Sequence, residues 1–327
     1  QSTRTNAGTR DLDDMGRSIY VETALDLALQ PATLDGQFRL VLISGNAGDG
    51  KTAFIKQIEA EIRNRGLEVK PISTGNGSRF ELNGRSFLTN YDGSQDEGNK
   101  VNDQVLKDFL APYAGDDSGG WKNGETRIIA INEGRLIDFL EQFEGQFRRL
   151  KSLVSTGLAT GVVEDGVAVV NLNLRSMVAN SNQPSILAKL LRRITSPAFW
   201  SPCQQCDLRD KCYVHHNART FAHPNAGGLV AERLELLYQL ATLRGKLHIT
   251  MRDLRSALAY MVAGTRNCNE IHKLYQDGER EDILQGFYFN SYASAGNRPP
   301  TDRLLRLMAE LDVGQSGDPK LYRAFDF

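Results

Sequence analysis

Eight consecutive residues in the first part of the chain have the types and the spacing that bind phosphate. They are Gly45, Asn46, Ala47, Gly48, Asp49, Gly50, Lys51 and Thr52. The run fits G-x-x-x-x-G-K-[ST], in which glycines let backbone N–H groups approach the phosphates of a nucleotide. Lys51 would reach the β- and γ-phosphates, and the Thr52 hydroxyl would bind Mg²⁺. The spacing therefore predicts a nucleotide site, and a chance glycine turn is the alternative.

The segments on either side have the patterns of the two elements that must hold this loop. Residues 39–44 contain an unbroken apolar run, which is typical of a strand buried on both faces. Residues 52–62 repeat apolar side chains at helical spacing, and Gly66 predicts the end of that helix. Strand, loop and helix follow one another in the order that a phosphate-binding loop requires.

A second candidate segment is the apolar stretch of residues 126–133, which predicts a strand ending in Asn132 and Glu133. We interpret it as a Walker B strand, in which Glu133 orients and activates the attacking water. Asn132 then occupies the position of an Asp that helps to hold Mg²⁺, and a neutral amide predicts weaker metal binding. The alternative is an ordinary buried strand that runs into a helix N-terminus.

A third predicted strand, residues 167–174, carries Asn171 and Asn173 near its carboxyl end. Ligands bind at the carboxyl ends of parallel strands. One of these amides, with Asn173 the preferred candidate, could therefore sense the γ-phosphate or hold the attacking water. The alternative is that both are ordinary amides at a strand end, satisfied by neighbouring groups.

The cysteines predict a metal site in the second half of the chain. Cys203, Cys206 and Cys212 follow the pattern C-x2-C-x5-C, which supplies most of a tetrahedral zinc site. The fourth ligand is a local histidine, His215 or His216, or the distant Cys268, which is our preferred candidate. We expect a structural Zn²⁺, and an iron–sulfur cluster and unligated thiols are the alternatives.

Composition and charge restrict the class of protein. Among 327 residues, 39 Lys and Arg stand against 40 Asp and Glu, so bulk charge gives no sign of a nucleic-acid partner. Basic clusters at residues 148–151 and 189–193 are better explained as solvated helix faces. We expect a cytoplasmic protein without a membrane span or signal peptide. The chain opens at Gln1 rather than Met, which suggests a fragment of a longer protein.

The remaining patterns predict three regions: an N-terminal segment (1–33), a nucleotide-binding core (34–200) and a helical C-terminal domain (201–327). Pro197 and Pro202 mark the last boundary. A helix over 18–30 should stop at Pro31, and Asn83-Gly84 should turn a β-hairpin. The other predicted elements are a strand (67–73), a polar loop (92–102), helices (101–113, 134–151, 184–193, 228–243, 251–262, 302–311), a loop or short strand (157–165) and a packed tail up to Phe327.

The glycine run 45–52, the strand that ends in Glu133, the third strand with its polar end near Asn171 and the helical C-terminal part together resemble the AAA+ and STAND P-loop ATPases. The resemblance implies a three-layer α/β/α core with a mostly parallel sheet, in which another strand lies between the Walker A and Walker B strands. It also implies a helical lid after the core. Arg252, in the helix that Thr250 is predicted to cap, would act as the lid arginine that reaches the γ-phosphate. A surface ion pair is the alternative for Arg252.

Shorter motifs resemble bacterial phage-defence ATPases, the nearest being the phosphorothioation-dependent restriction ATPase family. They are Gly-Asp-Gly-Lys at 48–51, Ile-Asn-Glu-Gly at 131–134, the cysteines and Asp-Pro-Lys-Leu at 318–321. The resemblance implies ATP and Mg²⁺ as ligands and a switch or motor as the activity. Nucleic acid, other defence proteins or further copies of the chain would be its partners.

Other activities are less favoured. A nucleotide-gated scaffold that barely hydrolyses ATP is the main alternative, because Asn132 predicts slow turnover. The chain has no Arg-rich phosphate lid, which disfavours a small-molecule kinase. It also has no N-K-x-D signature, which binds guanine, and this disfavours a GTPase.

Overall fold

The structure, a computed structural model, describes residues 18–178, 184–245 and 248–290. These residues form two compact units, an α/β unit of residues 22–175 and a helical unit that takes residues 18–21 and the described part of 176–290. The division falls after Arg175, whereas the proline pattern places it at residue 200. The intervening helix joins the helical unit because its apolar residues Leu187 and Leu190 are fully buried in that unit's core.

A six-stranded, mostly parallel sheet forms the centre of the α/β unit. The strands are β1 (Leu40–Ser44), β2 (Val69–Pro71), β3 (Ser78–Leu82), β4 (Arg85–Asn90), β5 (Glu125–Ile131) and β6 (Val167–Asn171). Their order is β2-β3-β4-β5-β1-β6. Strands β4, β5, β1 and β6 run parallel, and β2 and β3 are antiparallel additions at one edge. The expected α/β class is confirmed.

Alternate residues of the central strand enter two different cores. Leu40 and Leu42 belong to a core on one face, and Val41 and Ile43 belong to a core on the other face. All four are fully buried, as the unbroken apolar run predicts. The sheet is therefore the middle of three layers.

Five helices cover the two faces of the sheet. They are α1 (Gln30–Leu34), α2 (Lys51–Asn64), α3 (Asn102–Leu110), α4 (Glu133–Gln142) and α5 (Glu144–Thr160). Buried residues of α1 and α2 share one core with Val41, and those of α3, α4 and α5 share the other with Leu40. The loop after β1 thus leads into a helix that is anchored along its apolar side.

The predicted hairpin is confirmed, because Asn83 and Gly84 join β3 to β4. Their φ angles are 53° and 76°. Two consecutive residues with positive φ are what a tight two-residue hairpin turn requires, and Asn and Gly tolerate this conformation best.

Pro31 does not end the first helical segment. A π-helical turn (Leu25–Leu29) leads directly into α1, and Pro31 lies in the first turn of α1. Pro31 has no N–H to donate, so this continuous segment lacks one backbone hydrogen bond there and still runs on to Leu34. The prediction that Pro31 stops a helix over 18–30 is therefore wrong.

The predicted single helix over 134–151 is two helices, α4 and α5, and α5 is kinked at Phe147, whose φ and ψ are −126° and 36°. The break between them is at Phe143, whose φ and ψ of −113° and 29° are not helical. Its ring packs against Phe139 at 5.0 Å between centroids, which holds the corner. Helix α5 also continues to Thr160, so residues 157–160 are not the loop or strand that the sequence predicts.

The helical unit contains six α-helices in its described residues. They are α6 (Ile186–Ile194), α7 (Tyr213–Ala222), α8 (Ala226–Gly245), α9 (Met251–Ala263), α10 (Cys268–Asp277) and α11 (Arg280–Gln285). Their core includes the fully buried Tyr238 and Leu258. Thr250 is confirmed as the N-cap of α9 and forms a capping box with Asp253.

Some predicted elements lie outside the described residues, namely the polar start (1–14), the helix over 302–311 and the tail. Over the residues that are described, no helix has both the length and the apolarity that a bilayer span needs.

We predict that Gly157→Ala destabilises the α/β unit. A Cβ at Gly157, on α5, would lie 2.7 Å from the Cβ of Val169 on β6, so helix and sheet would have to separate. Overpacking of this kind costs about 1–3 kcal/mol, measurable by urea unfolding.

Gly145→Ala is the matched control for this prediction. It lies in the same helix, and a Cβ there meets nothing within 4 Å. We expect Gly145→Ala to leave stability unchanged or to raise it by up to about 1 kcal/mol. An equal loss in both variants would contradict the close helix–sheet contact.

Candidate phosphate-binding site

The glycine-rich run forms the connection between β1 and α2. Gly48 and Gly50 have φ of 101° and 92°, which side chains disfavour. Gly50 is the N-cap of α2, and no side chain caps this end of the helix. The N–H groups at this helix N-terminus therefore have no side-chain cap. An anion site at a helix N-terminus uses such N–H groups, and the positive end of the helix dipole attracts the anion.

Contacts within the loop fix its shape. A Cβ on Gly45 would lie 2.8 Å from Asp49 Oδ2 and 2.9 Å from Leu172 Cβ, so only glycine fits there. The buried Asp49 carboxylate accepts a hydrogen bond from Asn46 N at 2.6 Å. Arg175, just beyond β6, donates from Nη2 to the Asp49 carbonyl at 2.6 Å. The side chain and the carbonyl of Asp49 therefore both take part in hydrogen bonds that hold the loop in this shape.

The Lys51 ammonium lies over the first residues of the loop. Its Nζ donates to the carbonyl oxygens of Gly45 at 2.7 Å and Asn46 at 2.8 Å. Phosphate oxygens would be stronger partners for this cation than neutral carbonyls, because both partners would then be charged.

Thr52 contacts the carboxyl end of β4. Its hydroxyl donates to the Tyr91 carbonyl at 3.0 Å, and Asp92 is the next residue. Asp92 is half-buried and accepts a hydrogen bond from Ser94 N at 2.9 Å. The Asp92 carboxylate thus belongs to the residue after Tyr91, whose carbonyl contacts Thr52, the predicted Mg²⁺ ligand. From the sequence, Asp92 is only the first residue of a predicted polar loop. The sequence does not show which strand end Thr52 contacts, so it could not single out Asp92.

The strand that carries Asn132 lies beside the loop strand. Ser44 of β1 is in register with Ile131 of β5, and no strand lies between them. The strand that ends in Asn132 therefore does not fit the implied arrangement, in which another strand lies between the Walker A and Walker B strands. The strand one place away from β1 is β4, and the chain leaves β4 towards Asp92. By position, Asp92 is therefore the better candidate for the Walker B acid.

Asn132 is a helix cap in the structure, and its predicted role at the metal stays a prediction. Its Oδ1 accepts hydrogen bonds from Gly134 N at 3.0 Å and Arg135 N at 3.4 Å, so it caps α4. Asparagine is among the best N-cap residues because its short side chain reaches these N–H groups. The cap fixes the start of α4, which is Glu133.

Glu133 and Asn173 meet across the carboxyl end of β1. Strands β5 and β6 flank β1, and the two side chains that follow them are joined by a hydrogen bond from Asn173 Nδ2 to Glu133 Oε2 at 2.5 Å. Asn171 Oδ1 holds the Asn173 backbone N–H at 3.0 Å. Two of the four predicted polar strand-end residues are therefore brought together beside the glycine loop.

Two buried polar atoms at this edge have no hydrogen-bond partner among the described residues. They are Ser44 Oγ, at the last position of β1, and Asn173 Oδ1. A buried polar group without a partner costs about 1–3 kcal/mol. Such atoms are expected where a polar ligand or water completes a site.

A buried carboxylate ties β4 to the loop helix. Glu59, on α2, is fully buried and accepts hydrogen bonds from Tyr91 Oη and Ser78 Oγ, both at 2.6 Å. Lys56 Nζ lies 3.3 Å from its other oxygen. Burial and the contact with Glu59 raise the pKa of Tyr91, which keeps its hydroxyl protonated. The elements that supply Thr52 and Asp92 are thus held together.

The predicted zinc ligands lie in the helical unit. Among the residues that the structure describes, no group of three or more His, Cys, Asp or Glu side chains is arranged to hold a metal. Of the local histidines, His215 Nδ1 lies 2.7 Å from the Arg209 carbonyl, and His216 packs edge-on to Phe287. The zinc site with Cys268 stays a prediction.

Arg252 lies in the first turn of α9 in the helical unit and is exposed. Its role as a lid arginine also stays a prediction.

Comparisons of the chain with protein-family models, curated proteins and solved structures give no match. The residues themselves fit a nucleotide with its metal. Backbone N–H groups and the Lys51 ammonium suit phosphate oxygens, and the Thr52 hydroxyl with the Asp92 carboxylate supplies the oxygen ligands that Mg²⁺ prefers.

We predict that Lys51→Ala lowers ATP affinity at least about tenfold, because a charge-assisted hydrogen bond contributes roughly 1.5–3 kcal/mol. Isothermal titration calorimetry measures this loss. The thermal unfolding midpoint should stay close to the wild-type value, since the partners of Lys51 Nζ are loop carbonyls rather than core groups.

Lys70→Ala is the control, since Lys70 is exposed and paired with Glu68 on the surface. It should bind ATP like the wild type. Unchanged affinity in Lys51→Ala would contradict the phosphate site.

Proposed function

We propose that the α/β unit binds ATP with Mg²⁺ and hydrolyses it, so that it serves as a switch or motor. The observation that carries the proposal is the arrangement around one glycine loop. Lys51 lies over it, and Asp92 and Glu133 follow the strands on one side of it, β4 and β5. An anion site bordered by carboxylates suits a triphosphate that arrives with its metal.

Binding follows from the loop and from the start of α2. Backbone N–H groups of the loop would surround the β-phosphate, while Lys51 exchanges its carbonyl partners for phosphate oxygens. The hydrogen bonds of Asp49 mean that the loop needs little reorganisation. A preorganised loop loses less conformational entropy when the ligand binds.

Metal binding follows from Thr52 and Asp92. When bound, Mg²⁺ would neutralise charge that develops on the transferred phosphate. The Thr52 hydroxyl would turn from the Tyr91 carbonyl towards the metal, and Asp92 would hold the metal directly or through a water. The negative charge that Asn132 cannot supply would thus come from Asp92.

Water activation is assigned to Glu133. Its Oε2 is fixed by Asn173, so the carboxylate is oriented before any water arrives. A positioned carboxylate can accept the proton of a water that attacks the γ-phosphate. Asn132 acts by capping α4, and Asn173 acts by orienting Glu133; both are positioning residues.

The main alternative is a nucleotide-gated scaffold with little hydrolysis. The scaffold was favoured because a neutral Asn132 at the metal predicts weak Mg²⁺ binding and slow hydrolysis. That argument is weaker if Asp92 supplies the negative charge. Turnover measured with and without DNA, and with candidate defence proteins, would also test the proposed partners.

We predict that Asp92→Asn raises the Mg²⁺ concentration needed for half-maximal ATP hydrolysis at least about tenfold, as loss of a carboxylate near the metal typically does. ATP binding without metal should be unchanged. Phosphate release over a Mg²⁺ series measures the effect.

The control is Asp116→Asn, which removes an exposed carboxylate paired with Arg148. Its Mg²⁺ dependence should match that of the wild type. An identical Mg²⁺ dependence in Asp92→Asn would exclude Asp92 from the metal site.

We predict that Glu133→Gln keeps ATP bound but slows turnover about 10²–10⁴-fold, the usual contribution of a general base. Steady-state phosphate release and calorimetric ATP affinity separate the two effects. Glu141→Gln, an exposed position on the same helix, is the control. Brisk wild-type turnover that Glu133→Gln matches would remove Glu133 as the base. Very slow turnover in both would favour the scaffold.

A further inference from the structure

All four cysteines of the chain lie in one region of the helical unit and are free thiols. Cys203 and Cys206 are three residues apart in the turn around Pro197–Gln205, Cys212 is the N-cap of α7, and Cys268 is the first residue of α10. Backbone hydrogen bonds from Cys206 N to the Cys203 carbonyl at 3.3 Å and from Cys212 N to the Leu208 carbonyl at 2.7 Å fold the cysteine segment into turns. Cys203, Cys206 and Cys212 therefore lie in one folded stretch before α7, and Cys268 lies on a separate helix.

Helix α10 presents one face to the segment that carries Cys206 and Cys212. Cys268, His272 and Tyr275 share that face, because they are spaced by four and three residues. His272 Nε2 lies 3.4 Å from Cys206 Sγ. This contact joins positions 66 residues apart in the chain.

A second contact holds the same face of α10 beside Cys212. The Tyr275 hydroxyl donates to the Lys211 carbonyl at 2.5 Å and accepts from Tyr213 N at 3.1 Å. These backbone groups belong to the residues on either side of Cys212. Helix α10 is therefore fixed against the cysteine segment at both Cys206 and Cys212.

The distance between Cys206 and His272 has two explanations. A thiol–imidazole hydrogen bond is one, and it is weak. The other is a pair of metal ligands: bonds of about 2.3 Å to sulfur and 2.0–2.1 Å to nitrogen at a tetrahedral zinc put the two atoms roughly 3.5 Å apart. A hydrogen bond alone leaves the placement of Cys203 and Cys212 in the same folded segment unexplained, whereas a metal site explains it.

We propose that Cys203, Cys206, Cys212 and His272 bind one Zn²⁺, with Cys268 outside the ligand set. The ligand from α10 is thus a histidine rather than the cysteine that the sequence favours. His272 is half-buried against Cys206, and Cys268 is exposed.

Zinc binding requires the ligand side chains to rearrange. The described side chains do not already form a three-ligand set, but a cysteine reaches a new sulfur position by rotating one χ1 angle between staggered wells. The backbone is already held by the Tyr275 contacts. The ion would link the turn before α7 to α10, a structural role that is independent of the nucleotide site.

The test measures zinc by elemental analysis in the full chain after purification and exchange into zinc-containing buffer followed by desalting. We expect about one zinc per chain in the wild type and in Cys268→Ser. Cys203→Ser and His272→Ala should fall to near zero, and His272→Cys should restore the ion because a thiolate also ligates zinc. Calorimetric ATP affinity should be unchanged throughout, so a failed ATPase proposal would not affect this result.

Three outcomes would overturn the proposal. The first is no zinc, or iron in its place, in the wild type. The second is loss of zinc in Cys268→Ser together with retention in His272→Ala, which would make Cys268 the fourth ligand. The third is a wild-type thermal unfolding midpoint that a chelator does not lower, because a structural zinc contributes folding free energy.

Discussion

The parallel pairing of β1 on both of its sides is the constraint on which the candidate site depends. Ser44, the last residue of β1, is in register with Ile131 on one side and Asn171 on the other. The chains that leave all three strands therefore emerge together at one edge. Only this alignment lets Glu133 and Asn173 meet across the start of the glycine loop. At a sheet edge, β1 would have a neighbour on one side only, and half of the site would be missing.

A buried carboxylate provides a second constraint. An isolated buried charge is costly, so Glu59 is tolerated only because hydroxyl groups and Lys56 surround it. The result is a rigid connection between α2, which begins at Lys51, and the end of β4. Thr52 and Tyr91 meet above this connection. Loop, helix and neighbouring strand end thus behave as one preorganised body, which reduces the entropy that ligand binding must offset.

The helical unit is stabilised separately from the α/β unit. It consists of residues 18–21 and the described residues after Arg175, and its own core includes Tyr238 and buried residues of α6. Its short helices α7 and α10 are held together by hydrogen bonds from Tyr275 and by the contact between Cys206 and His272. A metal at this place would stabilise a region where short helices bury little apolar surface.

The sequence by itself determined the elements whose signals are local. The glycine loop between β1 and α2, the Asn83-Gly84 hairpin and the Thr250 cap each depend on residues within a few positions of one another, and all are in the structure. Local signals failed where context overrides propensity: Pro31 lies inside a continuous helical segment, and the helix predicted over 134–151 is broken at Phe143, whose ring packs on Phe139.

Only the tertiary structure decided which strand ends are neighbours. An apolar strand with a polar end has the same pattern at any position in a sheet, so the sequence could not show that β5 lies directly beside β1. For the same reason it could not show that Thr52 meets the chain just before Asp92. The contact of His272 with Cys206 was also missed, because a histidine 66 residues away has no spacing signal. Chain proximity encodes secondary structure, whereas the site is formed by contacts between residues that are distant in sequence.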